Sequence, residues 1–525
     1  MPRRGLSTSF AIAALALPSP LSAGDRPDPG VLRADDGEYV TVTTSGDWAP
    51  IFRILRSPDL RTWRVTGDVF RRAPRWAQGN FWAPEMTRLG DGYALFYSAL
   101  PRDSERWYCV GVATAPTPDG PWRDRGRPLR CGKRGSIDAH PTRDENGRLH
   151  LLWKADGNEF DKPTPIFAQR MSEDASRLLG RPRELIRNDR RWEGRVVEAP
   201  TVIRRPDGYF YLLYSADRCC VERTPRGAVR ACTYAVGVAR SPRLLGPWRK
   251  FGGNPILRDG NGWRCPGHTA VTDDGAGGLL ALFHAYHAGD QFLSGRQLLA
   301  APLTFGADGW PAIGVGQPPA PTPGATGASF EDDFTGALDA QWEWPVDRPP
   351  GRAAGNGLTL SSPRTVTRRS GASRAPERPR RVDGGVLSRR LSGSSFTATT
   401  VIDTRNMGGR TVAGLSAYRN RFEAIGMFVG GGEVTAWRLR RGRLKILEAH
   451  RAPGAPLVHL RMVARGRRHF FEASADGESW RRLGGTFTTP VTESARLALT
   501  VGGERRAHAR FVSASLADLR QPGSP

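Results

Sequence analysis

The chain has 525 residues, with 77 Lys and Arg against 52 Asp and Glu, a formal net charge of +25. With 39% hydrophobic and 25% charged residues it is too apolar for a disordered chain, and its length allows two or three domains. High glycine and proline counts (62 and 42), 15 tryptophans and no sustained helical periodicity exclude a helical bundle and point to an all-β protein. The charge alone admits a binder of nucleic acid or acidic polymers, or the arginine-rich composition of a secreted protein. The basic residues are scattered through loop-like stretches, which favours the second reading and implies no specific nucleic-acid partner. The densest run, Arg364 to Arg390, is mixed with Ser, Gly and Pro. It reads as a solvated loop that could associate electrostatically with acidic polymers in a salt-dependent way.

Residues 1–24 read as a signal peptide. Arg3 and Arg4 give the positive start, Phe10 to Leu17 the apolar core, and Leu21-Ser22-Ala23-Gly24 the small residues for cleavage. The apolar run is too short to span a bilayer, and no other segment is a membrane-span candidate, so the expected location is extracellular. An oxidising compartment permits disulfides among the six cysteines. Cys109 could pair with Cys131, and Cys219 or Cys220 with Cys232, leaving the other for Cys265; free buried thiols are the alternative. Adjacent Cys219-Cys220 lacks the usual spacing of zinc ligands.

From residue 25 a unit repeats five times. Its first stretch sets a polar residue near a proline or in a short run that turns to β: RPDPGVLR from Arg26, FWAPEMTRL from Phe81, SIDAHPTRD from Ser136, VVEAPTVIR from Val196 and CPGHTAVTD from Cys265. A Gly turn and an apolar, aromatic-rich strand follow: DGEYVTVTTS, DGYALFYSAL, NGRLHLLWKA, DGYFYLLYSA and GGLLALFHAY. Third strands begin at Phe52, Tyr108, Ile166, Tyr234 and Arg296, and outer segments carry Trp63, Trp122 and Trp248 at matching places. Four strands repeated five times predict a five-bladed β-propeller over 25–315. Because the first unit starts at the expected mature N-terminus, each blade is expected to come from its own contiguous sequence.

Residues 316–329 form a Pro/Gly/Ala linker. From 330 to 525 about eleven short alternating stretches predict a β-sandwich of jelly-roll type. Its Trp342, Trp344 and Trp437 suit its core first and a sugar platform second.

First strands of a propeller line its channel, so Asp28, Glu85, Asp138, Glu198 and His268 should converge. Two carboxylates facing across a pocket are what glycoside hydrolysis needs, one to protonate the leaving oxygen and one to activate water. Asp28, stiffened by two prolines, suits the base. Glu198, among apolar neighbours, suits the acid, and Asp138 is the third carboxylate that would tune it. Trp82 and Glu85, whose acid follows the proline rather than preceding it, fall to the pocket wall. Loops at the channel mouth, such as Gly46-Asp47-Trp48, Asn158 to Thr164 and Ala288 to Phe292, would set specificity.

Together RPDPGV, FWAPEM, SIDAHPT, VVEAPTV, CPGHTAV and GRQLLAAPLTFGADGWP resemble glycoside hydrolase family 43. The resemblance covers Ala23 to about Val315, and the C-terminal part resembles the concanavalin-like sandwich joined to many members. It implies inverting hydrolysis of polysaccharides or oligosaccharides containing α-L-arabinofuranosyl or β-D-xylosyl units, with Asp28 as base, Glu198 as acid and Asp138 as modulator. It also implies a sugar contact for Arg296 and a pocket role for His268, near which some members hold a channel metal such as calcium; no cofactor is otherwise required. A non-catalytic carbohydrate-binding propeller is the alternative.

Overall fold

A computed structural model describes residues 19–519 apart from 23, 224–228, 291–292, 321, 323–328, 350–356, 363–381 and 505. The charged start and apolar core of the expected signal peptide, half of the expected linker and most of the Arg364–Arg390 run lie outside the described residues.

Besides one short pair, Glu222–Arg223 with Val229–Arg230, the first part of the chain forms five sheets of four or five strands, each drawn mainly from one stretch of sequence. Their first strands are Gly30–Arg33, Ala77–Leu89, Ser136–Arg143, Val197–Arg204 and Trp263–Asp273, each paired antiparallel with the strand that follows. Each first strand touches those of its two neighbours, the fifth touching the first, so the five close into a ring. Second strands such as Phe210–Ala216 are buried at every residue. Sheets stacked on both faces explain why these strands read as continuous apolar runs rather than as alternation. Five apolar clusters fill the five seams between successive sheets. One seam holds Phe52, Phe70, Phe81 and Tyr97; the last joins Val31 and Tyr39 of the first sheet to Leu280 and Leu298 of the fifth. The outer tryptophans pin their own turns: Trp63, Trp122 and Trp248 donate from their indoles to the carbonyls of Leu60, Pro118 and Leu244.

The expectation that no N-terminal segment completes the last blade is corrected. Ser22 bridges Leu298, and the backbone amides of Leu21 and Arg26 donate to Leu298 and Arg296 of the strand Arg296–Phe305. The strand Pro311–Ile313 covers only the far end of that strand, at Leu303–Phe305, so the chain start fills the gap. Leu21 is buried there, inside the stretch expected to be cleaved.

The second part is a sandwich of an eight-stranded and a six-stranded sheet around one large apolar core. Trp342 and Trp437 are fully buried, and Trp344 bridges the cores of the two units, so these tryptophans are core residues and not a sugar platform. Cys109 pairs with Cys131 as anticipated, but the other pairs are Cys232–Cys265 and the neighbours Cys219–Cys220, because the loop before Tyr234 lies against the fifth first strand.

The two units are joined through charge. Trp344–Pro345 pairs with Trp48–Ala49 of the propeller, which places Trp48 in this seam rather than on a specificity loop. Buried Glu343 receives Arg390 at 3.1 Å and also Arg496, while Arg390 reaches the carbonyl of Asp25. Arg53 donates to the carbonyl of Trp342 at 2.8 Å. Arg26 lies close enough that burial, and then the charge of Arg390, push it down to about 9. The reading of Arg364 to Arg390 as a solvated loop is thereby corrected at its end: Gly385–Arg390 is a strand, and the Arg389 and Arg390 side chains are buried.

Removing Glu343 would leave Arg390 and Arg496 buried without their counter-charge. Glu343→Ala is expected to cost roughly 3–5 kcal/mol in urea unfolding. Breaking the exposed Arg33–Asp273 pair by Arg33→Ser is expected to cost no more than about 1 kcal/mol.

Candidate active site

Four of the five first strands break their ladders at an equivalent place, and Ala77–Leu89 and Trp263–Asp273 also break theirs further upstream. Register shifts fall between Trp82 and Glu85, Ile137 and His140, Glu198 and Thr201, and Gly267 and Ala270. At each break one residue takes a left-handed conformation: Ala83, Asp138, Ala199 and His268, with φ of 45°, 55°, 53° and 53°. Asp28, with φ of 55°, does the same just ahead of Gly30–Arg33. A bulge of this kind turns side chains that would otherwise follow the pleat, and here it turns them toward the ring axis.

The freed backbone amides are closed from the preceding sheet. Ala83 N–H donates to Thr44, Asp138 to Ser98, His268 to Ser215 and Asp28 to Nδ1 of His284. Ser98, Lys154, Ser215 and His284 occupy equivalent register positions opposite Trp82, Ile137, Glu198 and Gly267. Lys154 is the exception, since an ammonium cannot accept. The amide it would have closed, that of Ala199, donates instead to Oδ2 of Asp138 at 2.9 Å. Replacing an acceptor by a cation thus draws the carboxylate of the third sheet onto the backbone of the fourth.

Asp28, Asp138 and His268 therefore sit at equivalent positions, whereas Glu198 precedes its bulge residue by one and Glu85 follows its own by two. The five polar residues do not all meet. Glu85 lies one layer further along the channel, where Nδ1 of His140 donates to it at 3.1 Å. His140 accepts the amide of Val202 through Nε2, which fixes that tautomer. Trp82 is half-buried against Tyr108, ring centroids 4.4 Å apart, at the register position equivalent to Glu198.

Three carboxylates do converge, in different surroundings. Asp28 accepts from Arg296 Nη1 at 3.1 Å and from Thr44 at 2.7 Å, with Nδ1 of His284 and of His268 at 3.3 and 3.5 Å from Oδ1. Burial alone would raise its pKa, but Arg296 and then the two histidines hold it well below the usual carboxylate range. Arg296, for which the resemblance implies a sugar contact, reaches Asp28 through one of its five donors. Asp138 is the opposite case: burial raises it to about 7, helped by the charges of Glu198 and Asp28 and opposed by His268 and Lys154.

Glu198 is not among apolar neighbours, and that expectation is corrected. Lys154 Nζ donates to Oε2 at 2.7 Å and the Tyr234 hydroxyl to Oε1 at 2.8 Å. Lys154 is almost fully buried, and its other carboxylate partner is Asp156 at 2.8 Å. Burial disfavours its charge, but Glu198 and Asp156 together keep its pKa above the ordinary value. Burial, then the charges of Glu198 and Asp138, raise the Tyr234 hydroxyl, so it stays a donor. Tyr234 reaches Glu198 because position 267 is glycine: a Cβ there would stand 2.0 Å from its ring. The Cys232–Cys265 disulfide ties the segments on either side.

Lys154, Tyr234 and His284 were not singled out from sequence. Lys154 is the lone charged residue of its strand, and aligning the five second strands would have set it beside Ser98, Ser215 and His284. Beside His268 stand the carboxylate of Asp28, 3.5 Å from Nδ1, and the imidazole of His284. Among the described residues no group of three or more His, Cys, Asp or Glu could hold a metal ion. None of the described helices is long and apolar enough to cross a membrane.

The family model described as "Glycosyl hydrolases family 43" matches residues 17–311, and "Beta xylosidase C-terminal Concanavalin A-like domain" matches 332–497. Among curated proteins, "Xylosidase/arabinosidase 43B" of Humicola insolens is 25% identical over 94% of this chain and 93% of its own length. "Extracellular endo-alpha-(1->5)-L-arabinanase 1" of Bacillus subtilis (strain 168) is 28% identical over 50% of this chain and 79% of its own. Among solved structures, a xylan beta-1,4-xylosidase from Bacillus halodurans C-125 superposes with a TM-score of 0.75 at 19% identity, covering 96% of this chain and all of that one. At that identity the last likeness speaks to the fold alone.

The raised Asp138 makes a stability prediction. Its folded pKa of about 7 lies above the unfolded value of about 3.9, so folding retains its proton and stability falls as pH rises between the two. Asp138→Asn imitates the protonated acid and keeps an acceptor for Ala199 N–H. The variant is expected to match the parent in unfolding midpoint near pH 4 and to exceed it at pH 8.

Proposed function

This chain belongs to glycosyl hydrolase family 43 and is a glycoside hydrolase, and from that premise we propose that it cleaves α-L-arabinofuranosyl or β-D-xylosyl bonds in pentose-containing polysaccharides or oligosaccharides with inversion. The observation that carries the proposal is the opposite tuning of carboxylates in one channel: Asp28 held ionised, Asp138 held toward its proton, and Glu198 braced by two donors. The xylosidase and arabinosidase names of the relatives support the pentose substrate. This reading supersedes the non-catalytic alternative, because sugar binding alone needs no such pair of opposed acids.

In the proposed reaction Asp28 accepts a proton from water as the water oxygen bonds to the anomeric carbon. Glu198 gives its proton to the glycosidic oxygen as the old C–O bond breaks on the other side. Asp28 suits the base because Arg296 and Thr44 fix its orientation and the Arg296 charge keeps it anionic. Lys154 and Tyr234 fix the Glu198 carboxyl, and Asp138, held by the Ala199 amide, stands beside it. Secretion belongs to the same proposal, supported by the basic-then-apolar start of the sequence and by three disulfides.

A second reading is favoured by one observation. Asp138, not Glu198, is the carboxyl pushed up to about 7, so Asp138 could itself carry the proton to the leaving group. Leaving-group dependence separates the two. On arabinan or arabinoxylan, Glu198→Gln is expected to lose about 10²–10⁴-fold in kcat, while much activity survives on the 4-nitrophenyl arabinofuranoside or xyloside. If Asp138→Asn shows that selective loss and Glu198→Gln does not, the roles exchange. Asp28→Asn is expected to abolish turnover of both substrate types. Proton NMR of the first-formed sugar should show the inverted anomer; the retained anomer would overturn the inverting mechanism.

A further inference from the structure

The hairpin formed by Glu433–Arg440 and Arg443–Arg451 lies at the edge of the six-stranded sheet of the sandwich. Its tip reads W-R-L-R-R-G-R-L-K from Trp437 to Lys445. The period of two sends Trp437, Leu439 and Leu444 to an apolar cluster shared with Tyr418 and Trp48. Beyond the buried Val434 and Ala436, the other face carries only cations at the tip. In the ladder Arg438 stands directly opposite Lys445, and Arg440 directly opposite Arg443. Like charges in directly opposed positions are unfavourable, and nothing in the packing of the hairpin requires them. Arg440, Arg443 and Lys445 are exposed. Among the described residues none of these four cations has an ion-pair partner. Glu423, the acid beside Arg440 in the neighbouring strand, is engaged by Arg419 and Thr492.

These residues, with Arg441, line an open groove of about 610 Å³. The adjacent turn adds an aromatic. Phe422 is 47% exposed, Arg421 lies over its ring, and its Cδ1 is 3.1 Å from where a Cβ on Gly442, at the hairpin tip, would stand. Arg421 also acts electrostatically on Asp47, in the propeller loop that follows Thr44. The cationic groove therefore belongs to the side of the sandwich that faces this propeller loop.

We infer that this groove binds a carboxylate-bearing polysaccharide, a pentose polymer decorated with uronic acids, and so holds an acidic substrate beside the propeller. Guanidinium forks match carboxylates bidentately, and several of them along one face suit spaced charges on a chain. The exposed face of Phe422 offers an apolar surface to a sugar ring. The inference names the substrate class within the proposed glycosidase function and rests on that reading.

The test uses the full chain with Glu198→Gln as a common background, so that polymer is bound and not consumed. Retardation in gels containing glucuronate-branched xylan is compared with gels containing the same xylan after reduction of its carboxyls. The triple variant Arg440→Ser, Arg443→Ser, Lys445→Ser is run beside it. Expected is retardation by the carboxylated polymer, weakened at least about tenfold by the triple variant, by carboxyl reduction and by added salt. Equal retardation by the reduced polymer, or by the triple variant, would overturn the inference. Tighter binding of duplex DNA than of the xylan under the same salt would reassign the groove to nucleic acid and overturn it equally. The triple variant in the otherwise unaltered chain should keep its unfolding midpoint and its turnover of 4-nitrophenyl pentosides. Loss of carboxylate-dependent binding with that turnover intact isolates the groove. Absence of pentoside turnover in the unaltered protein would refute the glycosidase reading, and gel retardation would still decide for or against the groove.

Discussion

The hydrogen bond that the rest of the propeller depends on is the one that closes each bulged first strand from the sheet before it. A left-handed residue inside a strand frees an amide, and a buried amide without a partner is costly. Thr44, Ser98, Ser215 and His284 supply the acceptor in four seams. The same contact fixes neighbouring sheets in angle and aims the bulge residues at the axis. In the remaining seam, between the third and fourth sheets, a lysine stands where the acceptor would be, and the chemistry collects there. Asp138 takes over the amide of Ala199, and Lys154, freed from that task, binds Glu198. The asymmetry that makes a ring of repeats into a site comes from one exchange of an acceptor for a donor.

The seam between the two domains is built on the same economy of charge. Glu343 is one carboxylate against several arginines, and each of those arginines also holds backbone or ring surface across the seam: Arg390 the carbonyl of Asp25, Arg53 the carbonyl of Trp342, Arg496 the ring of Trp48. A second bridge runs closer to the site. Tyr286, on the strand beside Arg296, donates to Glu493 of the sandwich, which also receives Arg419. The sandwich thus bears on the residue that fixes Asp28, although it supplies none of the converging carboxylates.

Much of this was legible from residues alone. The five second strands stood out because burial on both faces makes them apolar runs after a Gly turn. Asp28, Asp138 and His268 stood out because they occupy the bulges themselves. Glu198 was legible, but its surroundings were not. Val196, Val197, Val202 and Ile203 surround it in sequence, whereas Lys154 and Tyr234 surround it in space, one from the sheet before and one from its own third strand. Glu85 was misplaced because a shift of one or two residues relative to a bulge changes the layer a side chain reaches, and nothing in WAPE against VEAP marks the size of the shift. The partners of Cys219, Cys220 and Cys232 depend on the path of a loop whose turns the sequence leaves open. Arg389 and Arg390 looked solvated because their acid, Glu343, lies in another segment.

The seating of the chain start against the strand Arg296–Phe305 sets an order of events during synthesis. The amide of Arg296 meets Asp25 across 271 residues, and its guanidinium meets Asp28 across 268. Four sheets can assemble as they leave the ribosome, since each is drawn mainly from one stretch of sequence. The ring cannot shut until the fifth has emerged, and until then the first sheet exposes the apolar face of Val31 and Tyr39. Asp28 acquires its counter-ion only at that moment, so the pocket matures last, in the same step that seals the barrel of sheets. A nascent chain halted before residue 296 would hold all five left-handed residues and still lack the arginine that keeps Asp28 ionised.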